Sequence, residues 1–219
     1  MAIRDVKSQC NRSLKQQAGM SLIELLVAST IGILAIMAVG SMFISGQKLA
    51  TERSLKLLVL QNMNDAMRYI KEDAQRAGFN GNNGSSLILS GASEVITVTS
   101  SAVGATLAYI YENNNGDITY TKFTGDTGTK KLGICTKSNI SRVSPVMPTC
   151  SAIGEPGLSL MDDSRVILSQ FVIDETPLGN SVSSAYFTIT MKAKLASPPT
   201  SGQDYEQTMV TKIKQRNWQ

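Results

Sequence analysis

Few residues of this chain could do acid–base, nucleophilic or metal chemistry, and one of them stands in an unusual place. Glu24 is a lone acid near the start of an apolar run that begins at Met20, and no charged residue follows it until Lys48. An ionised carboxylate at the centre of a membrane span costs roughly 2.5 kcal/mol or more, and less but still something near an end. A functional role is therefore the first expectation for Glu24, against the plainer reading of an acid snorkelling to the interface. Histidine is absent, which removes the commonest general base and the commonest metal ligand. Serines abound, but none sits in a Gly-x-Ser-x-Gly elbow. Asn80–Gly84 and Asn113–Asp117 lack the spaced acids and closing Glu of an EF-hand loop, so they read as turns rather than calcium sites. Asp162 and Asp163 read as a solvated loop pair, and Trp218 as a packing or frayed terminal residue. No catalytic residue, metal or cofactor is expected, and the chain does not read as an enzyme.

Three cysteines occur, at 10, 135 and 150. If the C-terminal region is extracytoplasmic, a disulfide between Cys135 and Cys150 is the natural reading. It would close a short loop and contribute roughly 3 kcal/mol. The alternative is two buried free thiols. A zinc site built from cysteines alone would need more ligands than are present.

The segment Ala18-Gly-Met-Ser-Leu-Ile-Glu-Leu-Leu26 resembles the cleavage signal of type IV prepilins and pseudopilins. The resemblance rests on Gly19, then Met20, then Glu24 as the fifth residue after the cut. It implies cleavage after Gly19 by a membrane prepilin peptidase and methylation of the new amino terminus at Met20. The family's first mature residue is usually Phe, and Met20 departs from that. Cys10 lies in the leader and would leave with it.

Size and charge fit this picture. The chain has 219 residues and a net charge of +4, enough for one domain, or for one domain and an anchor. Arg4, Lys7, Arg12 and Lys15 against Asp5 put +3 of that charge ahead of Met20. The leader is therefore expected on the cytoplasmic side, with the C-terminal region in the periplasm. The single remaining positive charge gives no clustered basic face for nucleic acid. Leu22 to Ser45 is long enough, at 1.5 Å per residue, to cross a hydrocarbon core of ~30 Å. An ordinary secretory signal would have a shorter apolar core and little use for Glu24. A plain single-pass anchor would leave the Gly19/Glu24 spacing unexplained.

The helix is expected to continue beyond the membrane. Leu60, Met63, Met67, Ile70, Ala74 and Ala77 recur at a 3.5-residue beat, while Arg53, Lys56, Asp65, Lys71 and Glu72 fall off that stripe. No proline interrupts Met20 to Phe79, and Gly78 with the following Asn/Gly cluster is the expected stop. A helix of nearly sixty residues would be roughly 85 Å long. Gly32, Gly40 and Gly46 read either as bending points or as close-packing positions. Arg76-Ala-Gly-Phe-Asn-Gly81 is similar to the helix end of PilW-type minor pilins. In that reading Ala77 and Gly78 let the backbone approach a sheet and Phe79 plugs the core.

Beyond residue 84 the pattern turns to period two. Strands are expected at 94–100, 106–112, 118–124, 131–136, 165–174, 185–195 and 205–216, with a hairpin around Asn113–Asp117 and a loop-rich 138–160. Phe187, Ile189, Met191, Ala193 and Leu195 should share one face. The expected fold is α+β and pilin-like, a long N-terminal helix on an antiparallel β-sheet domain. Its expected parts are a leader (1–19), a transmembrane or filament-core helix (20–47), the amphipathic half of that helix (48–79) and a periplasmic β-rich domain (80–219). The ending Lys214-Gln-Arg-Asn217 resembles the closing strand of the same minor pilins.

The resemblance implies a minor pilin that helps initiate type IV pilus assembly. Its partners would be the prepilin peptidase, the major pilin, other minor pilins, the assembly machinery and the inner membrane, and its final location the pilus. Glu24 would pair with the methylated amine of a neighbouring subunit, which offsets its desolvation and fixes axial register. The alternatives are a type II secretion pseudopilin, and an adhesin or DNA-uptake pilin that recognises its ligand through the 125–160 loop region.

Overall fold

The computed structural model describes residues 21–81, 84–150, 159–177, 185–198 and 205–214. The chain divides into two units at Ala50/Thr51. Helix α1 (Leu22–Ala74) runs for 53 residues. Its sequence is rich in Leu, Ala and Met and free of proline, the composition that favours uninterrupted helix. The glycines at 32, 40 and 46 leave it unbroken.

In the second unit α1 buries Val59, Met63, Ala66, Met67, Ile70 and Ala74. These recur at the three- and four-residue steps of one helix face. Leu60, expected on the stripe, is half-buried beside the fully buried Val59. Arg53, Lys56, Asp65, Lys71 and Glu72 are all exposed.

The helix stops at Ala74, four residues before the expected Gly78. The N–H groups of Arg76 and Ala77 donate to the carbonyls of Asp73 and Ala74, at 2.9 and 3.2 Å. These bonds reach back three residues rather than four, which tightens the last turn. Gly78 then has φ 75°, a left-handed conformation that costs glycine little and reverses the chain.

Seven strands follow, in two antiparallel sheets. β1 (Ile96–Ser101), β2 (Gly104–Glu112), β3 (Ile118–Asp126) and β4 (Lys131–Ile140) form one in sequential order. β5 (Val166–Pro177), β6 (Ala185–Leu195) and β7 (Gln207–Lys214) form the other. Each lies within a few residues of its expected range, although β4 extends to Ile140, past the expected Thr136. Between β4 and β5 the only pairing among the described residues is an isolated bridge, Gly133 to Ser159. The expected final strand to 216 and the ending through Asn217 run past the described residues at Lys214.

One irregularity keeps side chains on the correct face. The β5–β6 register shifts between Leu168 and Gln170. This places Val166 and Leu168 before the bulge, and Phe171 and Ile173 after it, all in the core. On β6 the expected face is buried throughout: Phe187, Ile189, Met191, Ala193 and Leu195.

β2 is buried on both faces. Leu107, Tyr109 and Tyr111 join the main core with the helix residues and with both sheets. Ala108 and Ile110 face a second cluster with Leu87, Leu89, Ile118 and Tyr120, against which Cys135 and Cys150 pack. This two-sided burial explains the near-continuous apolar run of β2. The sheets meet closely where Gly125 of β3 faces Phe171 of β5: a Cβ at Gly125 would lie only 2.4–2.5 Å from Cβ, Cγ and Cδ1 of Phe171. Phe171 is 1% exposed, so the ring has nowhere to retreat. Gly125→Ala should destabilise the chain by about 1–3 kcal/mol through overpacking, and Gly125→Val, with a larger side chain at the same place, by more. Urea denaturation of the two variants checks it, and an unchanged midpoint for Gly125→Ala would contradict this packing.

Candidate functional site

Of the residues singled out by the sequence, Gly19 and Met20 lie outside the described residues. Glu24 lies in the first turn of α1. Its Oε2 accepts the backbone N–H of Ser21 at 3.1 Å. The N–H groups of Glu24 and Leu25 donate in turn to the Ser21 carbonyl, at 3.0 and 3.2 Å. Glu24 thus closes the helix start as the acid of a capping box does, and its charge lies at the positive end of the helix dipole. The signal for this role, Ser21-x-x-Glu24, was present in the sequence but absent from the reading of Glu24. One bond leaves most of the carboxylate's acceptor capacity open. No cation among the described residues pairs with it.

From Leu25 to Ile44 the helix is mostly apolar and uncovered by other described residues. Fourteen large apolar side chains between Leu22 and Ile44 are exposed. Covering them would release on the order of 20 kcal/mol or more, beyond the whole stability of a typical domain. The hydroxyls in this stretch are satisfied locally. Ser29 donates to Leu26 O, Thr30 to Val27 O, Ser41 to Ala38 O and Ser45 to Ser41 O, at 2.8–2.9 Å. Beyond Glu24 at its start, this stretch meets the condition for immersion in hydrocarbon, that polar groups be satisfied internally. Length and composition together qualify it as a candidate span. Gly32, Gly40 and Gly46 face open space, and Gly40 floors a shallow apolar groove walled by Ile36, Val39 and Phe43.

In the second unit a polar cluster fastens the end of α1 to the sheet. Asp73, buried on the inner face of the helix, accepts the Tyr109 hydroxyl at 2.5 Å and the Tyr111 hydroxyl at 3.4 Å. Burial, and then the Asp73 charge, push the Tyr109 hydroxyl pKa well above its ordinary value. It therefore remains a proton donor. Burial also raises Tyr111. Arg76 lies 3.8 Å from Asp73 and stacks over the Tyr111 ring at 5.8 Å. Its bond to Tyr111 and the Asp73 charge hold its pKa up against partial burial.

The turn after the helix then runs along β2. Gly78 N–H donates to Ile110 O at 2.8 Å, and Glu112 N–H to Phe79 O at 2.9 Å. Ala77 is buried, so the close approach expected of Ala77 and Gly78 is present. Phe79 does not plug the core: it is 48% exposed. Its backbone is used by β2, which turns the ring outward.

A second clasp joins this turn to the segment after β4. The Glu112 carboxylate, 7% exposed, accepts Gly81 N–H and pairs with Arg142 Nη2, both at 2.9 Å. Arg142 Nη1 donates to Asn80 Oδ1 at 2.7 Å. Cys135 and Cys150 are joined by a disulfide, with Cα atoms 6.0 Å apart. Ser90 N–H donates to Pro145 O at 2.8 Å, which ties the covering segment of the second cluster to the same loop. No local pattern in the sequence assigns a role to Asp73, Tyr109, Glu112 or Arg142. An acid beside Ala74 on the buried stripe was the one available signal. Among the described residues no three acidic or sulfur ligands converge, and Asn113 Oδ1 is engaged by the N–H groups of Asn115 and Asp117, within its own turn.

Asp73→Ala leaves the Tyr109 hydroxyl buried without its acceptor and should cost about 1–3 kcal/mol. With Tyr109→Phe already in place the same change should cost clearly less. A double-mutant cycle by urea denaturation measures the difference. Additivity within about 0.3–0.5 kcal/mol, the behaviour of independent sites, would contradict the coupling.

Against solved structures, the chain is similar to a type IV-like pilin from Thermus thermophilus, with a TM-score of 0.50 and 8% sequence identity over 72% of this chain and 97% of that one. At that identity the likeness is one of fold: a long apolar N-terminal helix packed on antiparallel sheets. No curated protein matches the chain. Residues 53–211 match the family model described as PpdB, prepilin peptidase-dependent protein B. That match spans most of the chain, which therefore belongs to the prepilin peptidase-dependent protein B family.

Proposed function

We propose that this protein is a minor pilin of the PilW type that takes part, with other minor pilins, in initiating assembly of a type IV pilus. In this reading residues 1–19 are a leader removed by the prepilin peptidase after Gly19, and Met20 becomes the methylated first residue. Residues 20–47 are first the membrane span and then the filament-core helix. Residues 48–79 continue that helix against the β-rich domain (80–219), which lies in the periplasm until the subunit enters the pilus.

The observation that carries the proposal is the pairing of two features in one stretch. A helix whose apolar surface has no cover among the described residues begins with an acid held at its amino end. An apolar helix alone needs only lipid. The acid additionally needs a cation when the helix leaves the headgroup region for a filament core, and the amine of a neighbouring subunit supplies one. The local bond from Ser21 keeps the carboxylate at the start of the helix, where such an amine would arrive.

Capping and pairing can be separated by substitution. Glu24→Gln keeps an oxygen for the Ser21 N–H and removes the charge. Losing one partner of a semi-buried pair costs about 3 kcal/mol, more than tenfold in an equilibrium. Glu24→Gln should therefore be cleaved like the unmodified chain, yet reach sheared pili at less than about a tenth of its level. Incorporation equal to the unmodified chain would show that the charge has no pairing role. Deletion of the protein should lower the number of surface pili and leave exoprotein secretion intact; the opposite pattern assigns it to a type II secretion machine.

A further inference from the structure

Between the turn that ends α1 and the β2–β3 hairpin lies an open cleft of about 590 Å³, within the size range of small-ligand sites. Gln75, Arg76 and Phe79 line one side, and Tyr111, Asn114 and Asn115 the other. From this lining we infer that the cleft binds a neutral saccharide.

Charge narrows the ligand first. The two charged residues at the cleft are each matched within the chain, Arg76 by Asp73 at 3.8 Å and Glu112 by Arg142 at 2.9 Å. An ionic ligand would therefore compete with contacts already made. The uncharged groups are different. Among the described residues the side-chain amides of Gln75, Asn114 and Asn115 make no hydrogen bond. An amide presents donors and an acceptor together, which matches a row of hydroxyls that both donate and accept.

The aromatic wall narrows it further. The face of Tyr111 is occupied by Arg76, but Phe79 is half-exposed beside the amides. An aromatic ring next to a few convergent polar groups is the mixed lining of a ligand site. It fits a sugar ring, with C–H groups on one face and hydroxyls at the rim.

The walls are also held in place. Asn113 Oδ1 fixes the hairpin turn by accepting from Asn115 and Asp117 N–H, at 2.9 and 3.0 Å. Glu112 N–H fixes Phe79 through its carbonyl. Binding would thus cost little ordering of the protein. The inference is independent of the assembly role.

The test uses the full chain in a zwitterionic detergent without a sugar headgroup, applied to an array of neutral and acidic oligosaccharides. Retention of at least one neutral oligosaccharide is expected, with its affinity weakened about tenfold by Phe79→Ala and measurably by Asn114→Ala. Both positions are exposed, and the thermal midpoint of each variant should match that of the unmodified chain. Retention of acidic glycans only, no retention of any neutral glycan, or equal retention by Phe79→Ala would overturn the inference. So would a Phe79→Ala chain that binds no glycan before or after the change but loses entry into filaments, which would make the cleft a contact between subunits.

Discussion

The constraint on which the rest of this structure depends is the uncovered apolar surface of α1 between Leu22 and Ile44. Nothing among the described residues shields it, and its exposure to water would outweigh the stability of an ordinary domain. Such a surface is suited to lipid or to packing against other helices. Its sequence meets both conditions. Every hydroxyl in the stretch bonds to a carbonyl of the same helix, so beyond Glu24 the surface carries no unsatisfied polar side chain. Glycines at 32 and 40 leave room for a neighbouring backbone, as close helix packing without a hydrophobic driving force requires. The one charge in the stretch is set at its amino end, where the helix dipole and the Ser21 N–H support it.

The second half of α1 answers to a different environment. It buries one stripe, and near its end that stripe includes an acid, Asp73, beside Ala74. Asp73 would be costly in a core without partners; Tyr109, Tyr111 and Arg76 provide them. Such a contact ties a helix terminus to a defined place on a sheet, which a methyl-bearing side chain would do less specifically. Around it, the Gly78 and Phe79 backbone pairs with β2, and the Glu112–Arg142 pair draws in the segment after β4. The disulfide at Cys135 and Cys150 packs on the second apolar cluster. Helix end, hairpin and disulfide loop are thus linked by short polar contacts, and the cleft that they border has fixed walls.

How much of this could be read in the sequence follows the range of each interaction. Local signals carried well: the three- and four-residue beat from Met63 to Ala77, the alternation of β6, and the Asn/Gly turn between β2 and β3 all stand within a few residues of where they were expected. The capping role of Glu24 was local too, and was hidden only because a lone acid in an apolar run invites a membrane explanation first. Asp73 and Tyr109 are 36 residues apart, and no local pattern joins them. Phe79 was misplaced for the same reason: an aromatic after Ala-Gly suggests a plug, whereas the hydrogen bonds from β2 to its backbone decide which way the ring points. The division into two sheets depends on whether β4 and β5 pair, and the alternation within each strand is silent on that.

The account stands on the chain being processed as its family name implies and on the mature chain beginning at the apolar helix. The most direct test is the intact mass and N-terminal sequence of the membrane-bound protein, from cells with and without the prepilin peptidase. The account predicts a chain that starts at N-methyl-Met20 when the peptidase is present and that retains residues 1–19 when it is absent. A chain that keeps residues 1–19 in the presence of active peptidase would contradict it, leaving a plain membrane anchor on a β-rich domain and removing the physical reason for an acid at position 24.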